Sequence, residues 1–380
     1  SFSWQIALGD KQLSGQEFRR LVEHAGRVIK YKDEYVFLRP EEVKRILEGL
    51  ERPEPELSSM EVLRAAISGE VAEGKFLADQ MLQKMIDSLT DKELREKVVP
   101  PKGLLAKLRP YQGRGLDWLY GNATRGIGSC LADDMGLGKT LQVIALILKL
   151  KQEAKLPKPV LVVCPTTLIG NWDKEVAKFA PSLKVNIYHG STRQLKAKGF
   201  DLIITSYGTL RRDVAKFKRN TFEMVVIDEA QNIKNPDTDQ TKAVKSLKAG
   251  AYIAMTGTPV ENRLLEMWSI FDFINRGFLS HRQDFVRQFA NPIEKYRDSG
   301  KIEKLKTITA PFILRRVKGD KAIIKDLPEK LVKNEYCYLS KQQAALYQKV
   351  TESLLNEVEG VEGIARKGIV FKLITALKQI

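Results

Sequence analysis

The stretch SCLADDMGLGKTLQVIALILKL (Ser129–Leu150) decides how the rest of the chain is read. An apolar run, Ile127 to Ala132, predicts a buried strand. It ends in the loop DDMGLGKT, and an apolar helical pattern follows from Leu141. Strand, loop with Gly-Lys-Thr, then helix is the arrangement of a phosphate-binding P-loop. Backbone N–H groups from Met135 to Thr140 can point at a β-phosphate, beside the positive end of the helix. Gly136 and Gly138 allow close approach of the backbone. Lys139 would neutralise β/γ oxygens, and Thr140 would hold Mg²⁺. Asp133 stands where the general pattern has its first glycine. The expected ATP contacts in this stretch are Asp133, Asp134, Met135, Gly136, Leu137, Gly138, Lys139, Thr140 and Leu141.

A chain of 380 residues is long enough for two or three units. It is 43% hydrophobic and 29% charged, the balance of a soluble globular protein, and its net charge of +16 points to a polyanionic partner. An ATP site alone needs no such surplus. Cys130 and Cys164 lie in apolar strand patterns, as reduced core residues do, which fits a reducing cytoplasm; three scattered histidines offer no metal pattern. No apolar run reaches the ~18 residues of a membrane span, and no signal peptide is visible. The chain opens SFSW without methionine, as a fragment would.

Residues 1–52 read as a small α+β unit. Ser14 and Glu17 make a capping-box pattern, RVIKYKDEYVFL gives two short strands, and PEEVKRILEGL gives a helix. Residues 53–103 read as a helical linker region carrying SMEVLRAAI and FLADQMLQKMIDSL. From Leu104 the runs GIGSCLA, VLVVC, VNIYH, DLIITS, MVVIDEA and YIAMTG alternate with helical patterns. This predicts an α/β fold, a parallel sheet with helices on both faces and ligands at the carboxyl ends of its strands. The helix expected over TDQTKAVKSLKA would carry Lys242, Lys245 and Lys248 as a basic stripe.

MVVIDEAQ (224–231) ends an apolar strand in two acids. Asp228 is placed to hold Mg²⁺ and Glu229 to orient and deprotonate the attacking water. MTGTPVEN (255–262) reads equally as a plain β–α turn or as a relay from the nucleotide to another surface. Gln112, in LRPYQGRGLDWL, carries an amide able to pair with adenine N6 and N7, or is a surface residue at a helix start.

Taken together, LRPYQ, LADDMGLGKT, VVCPTTLIGNW, TSYGTL, VVIDEAQNIKN, MTGTPVEN and PFILRRVKGDKAIIKDLPEK resemble the Swi/Snf-type ATPases, double-stranded DNA translocases of helicase superfamily two. An aspartate at position 133 is normal in that family. The resemblance implies a RecA-like first lobe over residues 104–330, with a helical protrusion at about 279–330, and the start of a second lobe at 331–380. Residues 1–52 more loosely resemble an accessory region of some bacterial members.

By the same resemblance Gln112 reads adenine; Lys139, Asp228 and Glu229 are catalytic; and Thr140 and Asp228 hold the metal. Gln231, which replaces a more usual histidine, Thr256, Gly257 and Thr258 would couple the nucleotide to DNA. Pro165, Thr166, Asn171, Thr205, Ser206 and Tyr207 would contact DNA, whereas the spacing of Trp172 favours core packing; Arg315 and Arg316 would contact DNA phosphate or nucleotide, or else are solvated charge. The cofactors implied are ATP and Mg²⁺. The partners implied are double-stranded DNA and DNA-bound proteins, with no membrane and a monomeric enzyme. The implied function is an ATP-dependent translocase or remodelling ATPase; a strand-separating helicase or an ATP-switched nucleic-acid-binding module are the alternatives. Because the sequence stops at LITALKQI, where the second lobe and its arginines would follow, these residues alone are expected to hydrolyse little ATP.

Overall fold

The computed structural model describes residues 5–8, 11–23, 28–31, 34–37, 40–51, 57–71, 74–91, 93–257, 263–320, 333, 335–358 and 363–379. The chain divides into two units, Ser1–Lys325 and Asp326–Ile380.

The first unit begins with hairpin β1 (Gln5–Leu8) and β2 (Lys11–Ser14), then α1 (Gly15–Glu23), hairpin β3 (Val28–Tyr31) and β4 (Glu34–Phe37), and α2 (Pro40–Glu51). The capping box is formed: Glu17 Oε2 accepts from the Ser14 N–H at 2.8 Å, and Ser14 Oγ accepts from the Glu17 N–H at 3.3 Å. Ile6, Leu13 and Phe18 make a small core that takes in Leu21, Val22, Ile46 and Leu47. Next come α3 (Ser59–Ser68), the short hairpin β5 (Glu70–Val71) and β6 (Gly74–Lys75), and α4 (Gln80–Thr90). α4 starts later than its apolar pattern because Asp79 caps it, accepting from the Leu82 N–H at 2.7 Å. Leu63 and Leu89 are buried with the core of the large sheet, and Lys304 pairs with Glu70.

α5 (Pro110–Thr124) leads into the strand–helix alternation. It runs β7 (Ser129–Leu131), α6 (Lys139–Gln152), β8 (Val160–Cys164), α7 (Ile169–Phe179), β9 (Val185–Tyr188), β10 (Leu202–Ser206), α8 (Tyr207–Arg212), α9 (Val214–Lys218), β11 (Thr221–Ile227), α10 (Asp239–Lys245), β12 (Lys248–Met255) and α11 (Leu264–Ile274). α12 (Arg282–Phe285), a π-helical turn (Val286–Ala290), α13 (Asn291–Tyr296), α14 (Ser299–Thr309) and β13 (Ile313–Leu314) follow, and short 3-10 turns lie at Thr166–Leu168, Ala230–Ile233 and Ala310–Phe312.

The strands form one sheet in the order β13-β7-β12-β11-β8-β10-β9, parallel at every pairing. This is the α/β class expected from the alternation. Both faces are covered, so β8 is buried at all five residues. Its side chains alternate between two cores: Leu161 and Val163 pack with Ile203 and Phe271, while Val160, Val162 and Cys164 pack with Leu146 and Trp172. Cys130 and Cys164 are both buried, which pushes their thiols up to about 12.

Two expectations change. α10 ends at Lys245, and Lys248 opens β12 by pairing with Thr221, so there is no basic helical stripe. Lys245 instead turns inward to Asp272 at 2.9 Å, with its ammonium 5.0 Å from the Trp268 ring centre. The segment at 279–330 is not helical throughout, because β13 re-enters the sheet beside β7, with Ile313 opposite Cys130.

The second unit contains α15 (Lys341–Val358) and α16 (Gly363–Leu377), and holds the exposed Cys337. No described helix is long and apolar enough to cross a membrane.

Candidate nucleotide-binding site

The glycine loop leaves the carboxyl end of β7 and enters α6 at Lys139. Gly136 and Gly138 take φ of 81° and 75°, where a side chain is strained. A Cβ on Gly138 would lie 2.5 Å from Gln112 Nε2, so Gln112 and the loop need that glycine in order to touch. The backbone N–H groups of Met135, Gly136, Gly138 and Lys139 have no acceptor among the described residues. That open cradle fits a phosphate. Leu137 differs from the expectation: its N–H donates to the Asp134 carbonyl at 3.3 Å and its side chain is buried.

Asp133 is fully buried and does not face the cradle. Its Oδ1 accepts from Arg316 Nε at 2.8 Å and from the Arg316 N–H at 3.1 Å, and its Oδ2 pairs with Arg316 Nη2. Gln142 completes this cluster. Its Oε1 accepts from Arg316 at 2.7 Å, and its Nε2 donates to Asp133 at 3.3 Å and to the Gly138 carbonyl at 3.2 Å. Arg316 is therefore neither a DNA contact nor a solvated charge. It fastens the glycine loop to the segment after β13. A Cβ on Gly115 would meet Gln142 at 1.9 Å, which explains the glycine inside α5. The exposed Lys318 follows on this segment: its N–H donates to Asp134 Oδ2 at 3.0 Å, and its ammonium would lie 3.1 Å from a Cβ on Gly136.

Lys139 Nζ folds back on the carbonyls of Asp133 and Asp134, at 2.6 and 3.4 Å. Burial lowers its pKa, opposed by the charges of Asp133, Glu229, Asp228 and Asp134. Burial also raises the pKa of Asp228, while the bonds from the Trp172 indole (2.9 Å, to Oδ2) and the Glu229 N–H (2.9 Å, to Oδ1) lower it. Each Asp228 oxygen keeps lone-pair capacity, and the Thr140 hydroxyl has no partner among the described residues. This all-oxygen pair fits Mg²⁺.

Glu229 adopts a left-handed backbone, φ 53° and ψ 61°. Its Oε2 accepts from Gln231 Nε2 at 2.8 Å, and Gln231 Oε1 accepts from Thr256 Oγ1 at 3.2 Å. The amide therefore bridges the acid to the residue after β12. A Cβ on Gly257 would lie 3.5 Å from Met135 Cγ, so the position sits beside the glycine loop, and Thr258 lies outside the described residues. Gln112 is buried, with Oε1 accepting from the Arg109 N–H at 2.9 Å and Nε2 donating to Leu137 at 3.2 Å. In this state its amide grips the loop rather than presenting to a base.

The expected DNA contacts separate into two groups. Thr166, Asn171 and Arg315 are exposed, and Pro165 is half-buried beside them in sequence. Thr205, Ser206 and Tyr207 are buried. Thr205 donates to Tyr188, Ser206 caps α8, and the Tyr207 hydroxyl donates to the Asp228 carbonyl at 2.8 Å. Their side chains are closed to a ligand because their strand end is packed under α8. The exposed cations missed by the sequence reading are Arg211 and Arg212, about one turn on in α8, and Lys218 at the end of α9, which with Lys242 and Asp239 line a concavity of about 390 Å³. The basic run LRRDVAKFKR was the available signal.

A parallel sheet carrying a Gly-Lys-Thr loop at one strand end and an Asp-Glu pair at another defines a RecA-like nucleotide-binding lobe. The SNF2-related domain model matches residues 111–380, and a second model, described as SNF2 Helicase protein, matches 1–67. The chain belongs to the SNF2-related family.

Along its whole length it is 36% identical to YwqA of Bacillus subtilis, whose name proposes an ATP-dependent helicase/translocase, and covers 44% of it. It is 35% identical to the TATA-binding protein-associated factor MOT1 of Saccharomyces cerevisiae over 73% of this chain and 16% of that protein. Among solved structures it is similar to the Sulfolobus solfataricus SWI2/SNF2 ATPase core in complex with dsDNA, with a TM-score of 0.59 and 46% identity over 75% of this chain and 60% of that one. The chain spans less than half the length of these curated relatives.

Proposed function

We propose that the protein is a DNA-dependent ATPase that hydrolyses ATP with Mg²⁺, translocates on duplex DNA and displaces proteins bound to it. The observation that carries this reading is the chain Glu229–Gln231–Thr256, which joins the candidate catalytic acid to a neighbouring strand end beside the glycine loop. The family and the DNA-bound similar structure support the choice of partner.

In this reading the free N–H groups of the loop take the β-phosphate, and Lys139 leaves the Asp133 carbonyl to meet β/γ oxygens. Thr140 and Asp228 hold Mg²⁺, which when bound neutralises charge on the phosphates. Glu229 orients and deprotonates the attacking water. Gln231 and Thr256 transmit the state of Glu229 along the strand ends. Thr166, Asn171, Arg211, Arg212 and Arg315 offer exposed phosphate contacts, which fix position without reading sequence.

ATP turnover of a protein that carries this chain together with a second lobe, measured with and without duplex DNA and alongside Lys139→Ala and Glu229→Gln, tests the reading. DNA-stimulated turnover that both substitutions abolish is expected, together with triplex displacement without strand separation. Strand separation without displacement would make it a helicase of the unwinding kind. DNA binding and function that survive Lys139→Ala unchanged would make it a binding module.

A further inference from the structure

Two helices carry three of the exposed candidate DNA contacts, Asn171 on α7 and Arg211 and Arg212 on α8, and each helix sends one buried aromatic residue to Asp228. From α7, whose outer side exposes Asn171 and Lys174 and follows the exposed Thr166 and Thr167, Trp172 points inward at 1% exposure and its indole N–H reaches Asp228 Oδ2 at 2.9 Å. From α8, whose outer side exposes Arg211 and Arg212, Tyr207 points inward and its hydroxyl reaches the Asp228 main-chain carbonyl at 2.8 Å. Core packing accounts for the rings: Trp172 lies in one apolar core and Tyr207 in the other. It does not account for the aim of their polar atoms. A buried N–H or O–H needs some acceptor, and here both acceptors belong to one residue, the one whose carboxylate fits the metal.

We propose that Trp172 and Tyr207 are positioning residues for Asp228, and that through them DNA on the outer sides of α7 and α8 changes the affinity of the site for Mg²⁺-nucleotide. This rests on the proposed ATPase reading. The Trp172 bond and the Glu229 N–H together fix the plane of the carboxylate, and the Tyr207 bond fixes the backbone that carries it. A shift of α7 relative to the sheet rotates the carboxylate. A shift of α8 pulls on its main chain. Linkage then requires the converse as well: nucleotide with metal at Asp228 must change DNA affinity by the same factor.

Trp172→Phe removes the indole N–H while keeping an aromatic ring, and Tyr207→Phe removes only the hydroxyl. The measurement is the coupling factor, obtained with the full chain. It is the ratio of dissociation constants for a fluorescent Mg²⁺-ATP analogue with and without a short DNA duplex, larger over smaller, checked by the reciprocal titration of labelled duplex. Each substitution is expected to reduce a coupling factor above one by about three- to thirtyfold or to unity, whichever comes first, the range in which relay residues act. A residue needed only for packing lowers stability and leaves that ratio where it was. A coupling factor that survives both substitutions in folded protein overturns the inference alone. A wild-type factor of one overturns the inference alone, and no nucleotide binding overturns the functional reading and the inference with it. Should Trp172→Phe fail to fold, Tyr207→Phe decides the question.

Discussion

The Arg316 guanidinium and the Asp133 carboxylate form a buried pair, Nε to Oδ1 at 2.8 Å, between residues 183 apart in the chain. The pair is 5% and 0% exposed, so neither partner has water to fall back on. Removing one partner of such a pair costs ~3–5 kcal/mol, because the other stays buried and charged. Asp133→Gly, which installs the residue of the general motif, is therefore expected to destabilise the first unit by that amount in urea unfolding. Arg316→Lys keeps the charge but loses the fork, and should cost about 1.5–3 kcal/mol, the worth of one hydrogen bond to a charged group. An Asp133→Gly midpoint equal to wild type would show that the pair anchors nothing.

Lys318 offers a second cation at the glycine loop. Its N–H is held by Asp134, and its exposed ammonium lies over Gly136 without a carboxylate partner among the described residues. A charge-assisted contact to phosphate is worth roughly 1.5–3 kcal/mol. Lys318→Ala should weaken ATP binding by about ten- to a hundredfold and adenosine binding not at all. Equal loss for both ligands in a titration would mean that the loop itself has been disturbed.

Gln231 bridges Glu229 and Thr256 through both ends of its amide. Gln231→Ala breaks the bridge without removing a phosphate contact. Nucleotide affinity should stay within about threefold of wild type, while DNA-stimulated turnover falls by roughly ten- to a thousandfold, the scale of a misplaced catalytic group. Turnover that is unchanged under DNA stimulation would exclude the relay.

Burial holds the Asp228 carboxyl above its ordinary value, with the Trp172 indole and the Glu229 N–H pulling it down. A raised carboxyl favours the folded state at low pH, below its unfolded value, and that contribution is lost as pH rises through the folded value. Metal binding has the opposite sign, since only the carboxylate holds Mg²⁺. Mg²⁺-dependent nucleotide binding should therefore fall on acidification at a pH above the ~3.9 of an exposed aspartate. Trp172→Phe, by deleting a donor to the charged form, should move the midpoint higher still. Titrations of Mg²⁺-ADP across this range measure both, and a lower midpoint in the variant would contradict the assignment.

What the sequence revealed about the fold and site was local. The glycine loop, the acids after β11 and the alternation of strands and helices each lie within a few residues, where spacing dictates geometry. What it hid depended on distant partners. An aspartate in a glycine's place gives no hint that residue 316 will pair with it. Trp172 reads as a core residue by spacing, and it is one, yet its N–H has an acceptor 56 residues on. In TSYGTL, Thr205 and Ser206 end β10 and Tyr207 begins α8, and all three side chains are buried while the basic residues that end α8 stay outside. The lysine stripe failed for a different reason: helical periodicity continues through Leu247, but pairing of Lys248 with Thr221 turns that segment into a strand.

β13 also sets an order of events during synthesis. The loop that would hold phosphate is translated by residue 140, but its flanking strand and its buried counter-charge come only with residues 313–316. A nascent chain still short of that point carries the glycine loop with Asp133 lacking its cation. Nucleotide affinity should therefore be acquired late, as the ribosome releases the segment that closes the sheet edge, and not when the loop itself emerges.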